Sequence, residues 1–209
     1  VIFPDIKVFK KEELMPALSL IGNMPYSSKK MRDDIRMIRS YYGSRGYADV
    51  SVIPDVRELE GAKVDILYGI STGTRKRVGR VNIQGNTKSQ DRVIRREVPM
   101  RPGEFFNSVD LETTKRRLKN LGYFQDVQVT GAASPQDGYR DVNILVQEQR
   151  TGTINFGLGF SSIDSILGRI SLEQSNFDIT NWGRFTGAGQ RFSVNLQIGS
   201  QRTDFRVSL

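Results

Sequence analysis

Tyr42-Gly43-Ser44-Arg45-Gly46-Tyr47-Ala48-Asp49-Val50-Ser51-Val52 and Asn120-Leu121-Gly122-Tyr123-Phe124-Gln125-Asp126-Val127-Gln128-Val129 are two versions of one passage. Each closes a basic helical segment at a glycine, crosses an aromatic residue and enters an alternation of apolar and polar residues. A glycine at such a boundary suits the left-handed position that ends a helix, and the alternation that follows reads as a strand. Gly46, Tyr47, Gly122 and Tyr123 are therefore candidate helix-to-strand caps. A second strand follows each copy, at Val64-Asp65-Ile66-Leu67 and at Val142-Asn143-Ile144-Leu145.

Working outward, the second copy has the clearer surroundings. Arg80-Val81-Asn82-Ile83-Gln84 alternates and ends at Gly85-Asn86, a strand and a turn. Thr87 or Ser89 is placed to cap a short helix with Val93, Ile94 and Val98 on its apolar stripe, stopped by Pro99 and Pro102-Gly103. Asn107 or Ser108 caps a second helix, in which Leu111, Thr114, Leu118 and Leu121 recur at helical spacing. Residues 131–138 read as a loop and Asp141 to Glu148 as the last strand, giving the order β-α-α-β-β. The first copy follows the same plan. Its helices are expected at Glu12 to Leu20, interrupted by Pro16, and from Ser27 or Ser28 through Met31, Ile35, Ile38 and Tyr42. Its strands are expected at Tyr47 to Ile53 and Ala62 to Ile70, with an opening strand within residues 1–8. Three strands with two helices on one face make a two-layer unit with an open sheet edge. Such an edge accepts a strand from another protein through backbone hydrogen bonds, or is covered by a loop.

Composition narrows the chemistry. The chain has 209 residues, enough for one or two domains with a real core, and neither cysteine nor histidine. That excludes disulfides, Cys-ligated metal and the Ser-His-Asp and Cys-His catalytic arrangements. No enzyme activity, cofactor or metal site is expected. The net charge of +8 points to an acidic partner, whether nucleic acid, lipid surface or protein. Lysines and arginines are spread over both copies and alternate with acids, as in Met31-Arg32-Asp33-Asp34 and Arg95-Arg96-Glu97, which is also how a solvated mixed-charge surface reads. No run of about 18 apolar residues suggests a transmembrane helix. The chain opens on Val1-Ile2-Phe3-Pro4-Asp5, with neither an initiator methionine nor a signal peptide, and reads as a piece of something larger.

From Thr151 the pattern changes. Ile154, Phe156, Leu158 and Phe160 alternate with Asn155, Gly157, Gly159 and Ser161. Three more such segments follow: Ile166 to Glu173, Phe192 to Gly199, and Asp204 to Leu209, with a polar, glycine-rich stretch at 176–190. Each is greasy on one side and small or charged on the other. Transmembrane barrel strands have this pattern, apolar toward lipid and polar toward a lumen; a soluble antiparallel sandwich alternates too. Four strands cannot close a barrel, so these would be its opening.

Val81-Asn82-Ile83-Gln84-Gly85-Asn86, Ile94-Arg95-Arg96-Glu97, Leu118-Lys119-Asn120-Leu121-Gly122-Tyr123-Phe124 and Thr151-Gly152-Thr153-Ile154-Asn155-Phe156-Gly157-Leu158-Gly159 resemble a known family, the outer-membrane assembly factor BamA and its relatives. The resemblance covers nearly the whole chain. The long polar loop holding Phe177, Trp182 and Phe185 departs from it. It implies an α+β chain of two tandem POTRA modules, residues 1–75 (like the fourth) and 76–149 (like the fifth), then roughly the first four strands of a transmembrane β-barrel at 150–209. It further implies non-enzymatic assembly and insertion of β-barrel proteins into the outer membrane, with the modules in the periplasm. The first barrel strand, Ile154, Asn155, Phe156, Gly157, Leu158, Gly159 and Phe160, would be a gate that templates incoming strands. Gly157 and Gly159 would either weaken that strand or relieve crowding in the barrel wall. Implied partners are the lipid bilayer, unfolded β-barrel clients and a BamD-like periplasmic lipoprotein at Arg95, Arg96 and Glu97, with no nucleic acid. Two alternatives stand beside this: a two-partner secretion or translocation pore of the same superfamily, and a basic nucleic-acid-binding αβ protein, which predicts tight, salt-sensitive DNA binding.

Overall fold

The computed structural model describes residues 2–3, 8–22, 24–61, 63–161 and 165–209. The fold is α+β. Among the described residues it contains helices α1 (Lys11–Leu14), α2 (Ser28–Gly43), α3 (Asp91–Arg95) and α4 (Ser108–Asn120). The strands are β1 (Ser51–Leu59), β2 (Lys63–Ser71), β3 (Arg77–Gln84), β4 (Phe124–Ala133), β5 (Tyr139–Glu148), β6 (Gly152–Ser161), β7 (Ser165–Phe177), β8 (Gln190–Gly199) and β9 (Thr203–Ser208). They form three sheets, ordered β1-β2, β3-β5-β4 and β6-β7-β8-β9. Chain contacts divide the protein into two units. One comprises Val1–Val81, Met100–Thr113 and Thr130–Val142; the other comprises Asn82–Pro99, Thr114–Val129 and Asn143–Leu209.

In the first unit, Leu14, Leu18, Leu20, Ile38, Tyr42, Val52, Ile66 and Tyr68 form a buried cluster. Its helices differ from expectation. The stretch from Glu12 to Leu20 is not one helix: α1 gives way to a single 3-10 turn at Met15–Ala17, because Pro16 cannot supply the amide an α-helix needs. Ser27 occupies the N-cap of α2 without a side-chain cap bond. The first sheet differs as well. Tyr47 to Val50 is not strand, and β1 runs instead through Pro54, opposite Tyr68, to Leu59. Proline is tolerated there because β1 is an edge strand, whose outward amides need no ladder partner. Instead of a third strand, the described residues give one parallel bridge between Ile2 and Leu67, with Ile2 N donating to Ile66 O (2.9 Å) and Tyr68 N to Ile2 O (3.0 Å). Part of the expected opening strand lies outside the described residues.

Asp34 sits in the buried stripe of α2, where a carboxylate costs free energy unless it is hydrogen-bonded. It accepts Ser19 N (2.6 Å), Leu20 N (3.1 Å) and Tyr68 Oη (3.4 Å), tying the loop before α2 to β2. Burial, then the Asp34 charge, pushes the Tyr68 hydroxyl far above its ordinary value.

The two repeated turns are built alike and used alike. Gly46 has φ +99° and Gly122 φ +72°, in the left-handed region. Around Gly46, Tyr47 N donates to Tyr42 O (3.2 Å), closing the end of α2. The carbonyls then receive the next segment: Lys76 N donates to Gly46 O (2.8 Å) and Arg75 Nε to Arg45 O (2.9 Å). In the second unit Gln149 Nε2 donates to Gly122 O (2.8 Å) and Gln149 N to Tyr123 O (3.0 Å). Gly43, one turn earlier, packs so closely on Ser108 that a Cβ there would fall on Ser108 Oγ.

Within the second unit Val93, Ile94, Leu118, Tyr123, Phe124, Val127, Ile144 and Val146 are buried. Neither Thr87 nor Ser89 caps α3, whose N-cap is Gln90 with no side-chain bond. Asn107 does serve α4, its Oδ1 accepting Val109 N (3.0 Å). The loop before β5 is shorter than residues 131–138, because β4 continues to Ala133.

Candidate functional site

The candidate site is the outer edge of β6. Strand β6 pairs with β7 along Gly152↔Gln174 to Ser161↔Ser165, and its other edge has no strand beside it among the described residues. Ladder register carries one apolar face across the sheet: Phe156 opposes Ile170, which opposes Leu196, which opposes Phe205. On this face Phe156, Leu158 and Phe160 are 77%, 87% and 86% exposed. A water-facing sheet would bury such side chains or replace them. The opposite face aligns Gly157, Arg169, Gln197 and Asp204, with Arg169 Nη2 donating to Gln197 Oε1 (2.9 Å). At 10, 13 and 10 residues, β6, β7 and β8 reach the roughly 9–11 residues that a tilted strand needs to cross a bilayer. No helix among the described residues is long and apolar enough to do so.

Asn155 and Gly157 are exposed, and Gly159 is half-buried. The two glycines of β6 are not forced by crowding within this sheet. A Cβ at Gly159 would meet nothing within 4 Å, and one at Gly157 only Arg169 Cβ at 3.9 Å.

The base of β6 and β7 is held by a polar network that the sequence did not announce. Glu148, at the end of β5, accepts Ser89 N (2.6 Å), Lys88 N (2.8 Å) and the Thr87 hydroxyl (2.8 Å). Burial opposes its charge, but these donors, from Ser89, Thr87 and Lys88, outweigh it and hold the carboxyl below its ordinary range. Ser89 Oγ accepts Asn176 Nδ2 (2.9 Å), Gln90 Nε2 donates to Asp178 Oδ2 (2.7 Å) and Gln90 N to Gly187 O (2.9 Å). The Thr180 hydroxyl on Asp178, then its backbone amide and Gln90, keep the Asp178 carboxyl low. Tyr123 Oη reaches Gly189 O (3.4 Å). The loop after β7 is thus bonded to the turn before α3 at several points. The only signal in the sequence was the density of Asn, Asp and Gln between 174 and 190.

Arg95, Arg96 and Glu97 are differently engaged. Arg95 pairs with Asp91 one turn back on α3 (2.9 Å). Arg96 pairs with Glu97 (3.5 Å) and lies against Gly189. Glu97 is largely covered, with 23% of its side chain exposed. Among the described residues no group of three or more acidic, histidine or cysteine residues is placed to hold a metal ion.

Comparison with known proteins matches residues 3–73 and 76–149 to the POTRA family, surface antigen variable number repeat. The outer membrane protein assembly factor BamA of Neorickettsia risticii is 27% identical over 178 residues, covering 85% of this chain and 23% of that protein. The chain spans 18–29% of the length of the curated relatives it matches. Among solved structures, BamA from Haemophilus ducreyi lacking POTRA domains 1–3 superposes with a TM-score of 0.82 at 22% identity, over 99% of this chain and 38% of that one. CdiB from Escherichia coli gives 0.51 at 15% identity, over 96% and 35%. These two show likeness of fold. Two matched repeats, followed by a sheet with one apolar face, make this chain a member of the POTRA family whose sequence is similar to outer membrane protein assembly factors BamA.

Proposed function

We propose that the chain is a section of an outer-membrane β-barrel assembly factor. Residues 1–75 and 76–149 are its periplasmic modules, and residues 150–209 the opening strands of its transmembrane barrel. The observation that carries this reading is the continuous apolar face of the β6–β9 sheet, laid across four strands by register and left exposed. Lipid is the solvent that such a face requires. The function is insertion of barrel proteins without catalysis: no step calls for an acid, base or nucleophile.

The proposed mechanism is strand templating at β6. In lipid an unpaired backbone amide or carbonyl costs several kcal/mol, so an incoming strand that pairs with Ile154 to Phe160 gains from every rung it fills. Recognition by backbone accepts many client sequences. Gly157 and Gly159 loosen the strand without being needed for packing, which favours exchange of partners along this edge. The surface formed by Arg95, Arg96 and Glu97 at the end of α3 is the proposed contact for a periplasmic accessory lipoprotein of the BamD type.

Site-directed crosslinking tests the mechanism. Gly157→Cys in the full-length protein, paired with a cysteine in the terminal strand of a client, should give a disulfide crosslink during assembly. Absence of a crosslink at every register along residues 154–161 would sink strand templating. A second reading, a two-partner secretion or translocation pore, draws on the likeness of fold to CdiB. Depleting the full-length protein separates the two: general loss of barrel proteins supports the assembly factor, whereas loss of one exported partner supports the pore.

A further inference from the structure

Three basic residues line one cavity at the base of β6. A cavity of about 370 Å³ is lined by Lys88, Arg150 and Arg184, together with Gln174 and Thr186. Among the described residues none of these three charged groups forms an ion pair. Glu148 is near Lys88, but its oxygens are taken by Thr87, Lys88 N and Ser89 N. Three like charges around one cavity repel, and an anion between them relieves that repulsion.

The position of the cavity names the anion. Down the apolar face of β6 and β7 the rungs run Phe156/Ile170, Ile154/Leu172, then Gly152/Gln174. Gly152 and Gln174 share the parity of the greasy residues and also line the cavity, so the cavity reaches the rung below the apolar band on its side of the sheet. Beside this rung Phe192 stacks on Phe177 (4.8 Å), Phe177 on Phe185 (6.1 Å), and Trp182 leans on Phe185 (6.0 Å). Trp182 is 86% exposed. An apolar band bordered by exposed aromatic and basic side chains is what a protein presents where the acyl region of a bilayer gives way to interface and headgroups.

We propose that Lys88, Arg150 and Arg184 bind the phosphate of an anionic phospholipid at the module side of the membrane. The lipid fixes the depth at which β6 meets the bilayer. This rests on the membrane reading of the β6–β9 sheet given above.

The test uses the full-length protein in detergent micelles doped with phosphatidylglycerol, with bound lipid measured by native mass spectrometry. The triple variant Lys88→Gln, Arg150→Gln, Arg184→Gln should bind phosphatidylglycerol about a hundredfold more weakly, at the scale expected of three basic residues beside anionic lipid. Arg184→Gln alone should cost about fivefold, and it decides the matter if the triple variant does not fold. Phosphatidylglycerol binding that survives these changes, in protein whose barrel is intact by heat-shifted gel mobility, overturns the headgroup site. Displacement by equimolar inorganic phosphate overturns the lipid as its occupant. A wild-type protein that forms no barrel in bilayers overturns the membrane reading itself, and this proposal with it.

Discussion

Glu148→Ala removes three hydrogen bonds at once, and their costs are unequal. Thr87 and Lys88 are exposed, so water replaces the carboxylate there for little loss. Ser89 is buried, and its amide is left without a partner. A charge-assisted bond to a buried amide is worth roughly 1.5–3 kcal/mol, which sets the local loss at about 2 kcal/mol. The damage is local because Glu148 holds the turn from which Ser89 grips Asn176. Hydrogen exchange on the full-length protein in micelles reads it directly: about 2 kcal/mol less protection speeds exchange of the Ser89 amide by about 30-fold. The pH dependence has a definite sign. The Glu148 carboxyl is held low in the folded chain, so its contribution is complete above the ordinary glutamate value of about 4.3 and is lost as pH falls through the lower folded value. The wild-type protection should therefore converge on that of the variant only below about pH 4.3. Equal exchange of the Ser89 amide in wild type and variant at pH 7 would refute the reasoning.

Gly43→Val drives a side chain into Ser108 and should destabilise the first unit by about 1–3 kcal/mol, read as a lowered urea midpoint; Ser108→Gly in the same chain should restore part of it. A Cβ at Gly122 would meet no neighbour within 4 Å, so Gly122→Val should cost chiefly backbone strain, about 1–2 kcal/mol, and an unchanged melting temperature would show that φ +72° is not maintained.

What the sequence made legible was periodicity. The alternation of Ile154, Phe156, Leu158 and Phe160 is strong enough to give both strand and face, because a period of two leaves one register consistent with one greasy side. The stripe of α2 was equally plain at Ile38 and Tyr42. Asp34 on the same stripe was not, because its partners Ser19, Leu20 and Tyr68 are distant in sequence and nothing local marks them. The same reason hid the network at the base of β6, where Ser89 and Asn176 are bonded across 87 residues. Thr87 and Ser89 looked like helix caps because local rules score them so, whereas Glu148 takes this turn instead. Pro54 looked like the end of a strand because the edge position that tolerates it is a property of the sheet. Local rules describe what a residue prefers; the long-range acceptor decides what it does.

Gly46 O receives Lys76 N, and Gly122 O receives Gln149 Nε2. A module that ends in this turn carries its own coupling, since the turn that follows its helix also addresses whatever comes next. Duplicating such a module duplicates the connector with it. An array of this kind lengthens by gene duplication without a new joint having to be invented. A tandem copy of residues 1–75, inserted before the native one, should accordingly show its successor's first amide protected from exchange.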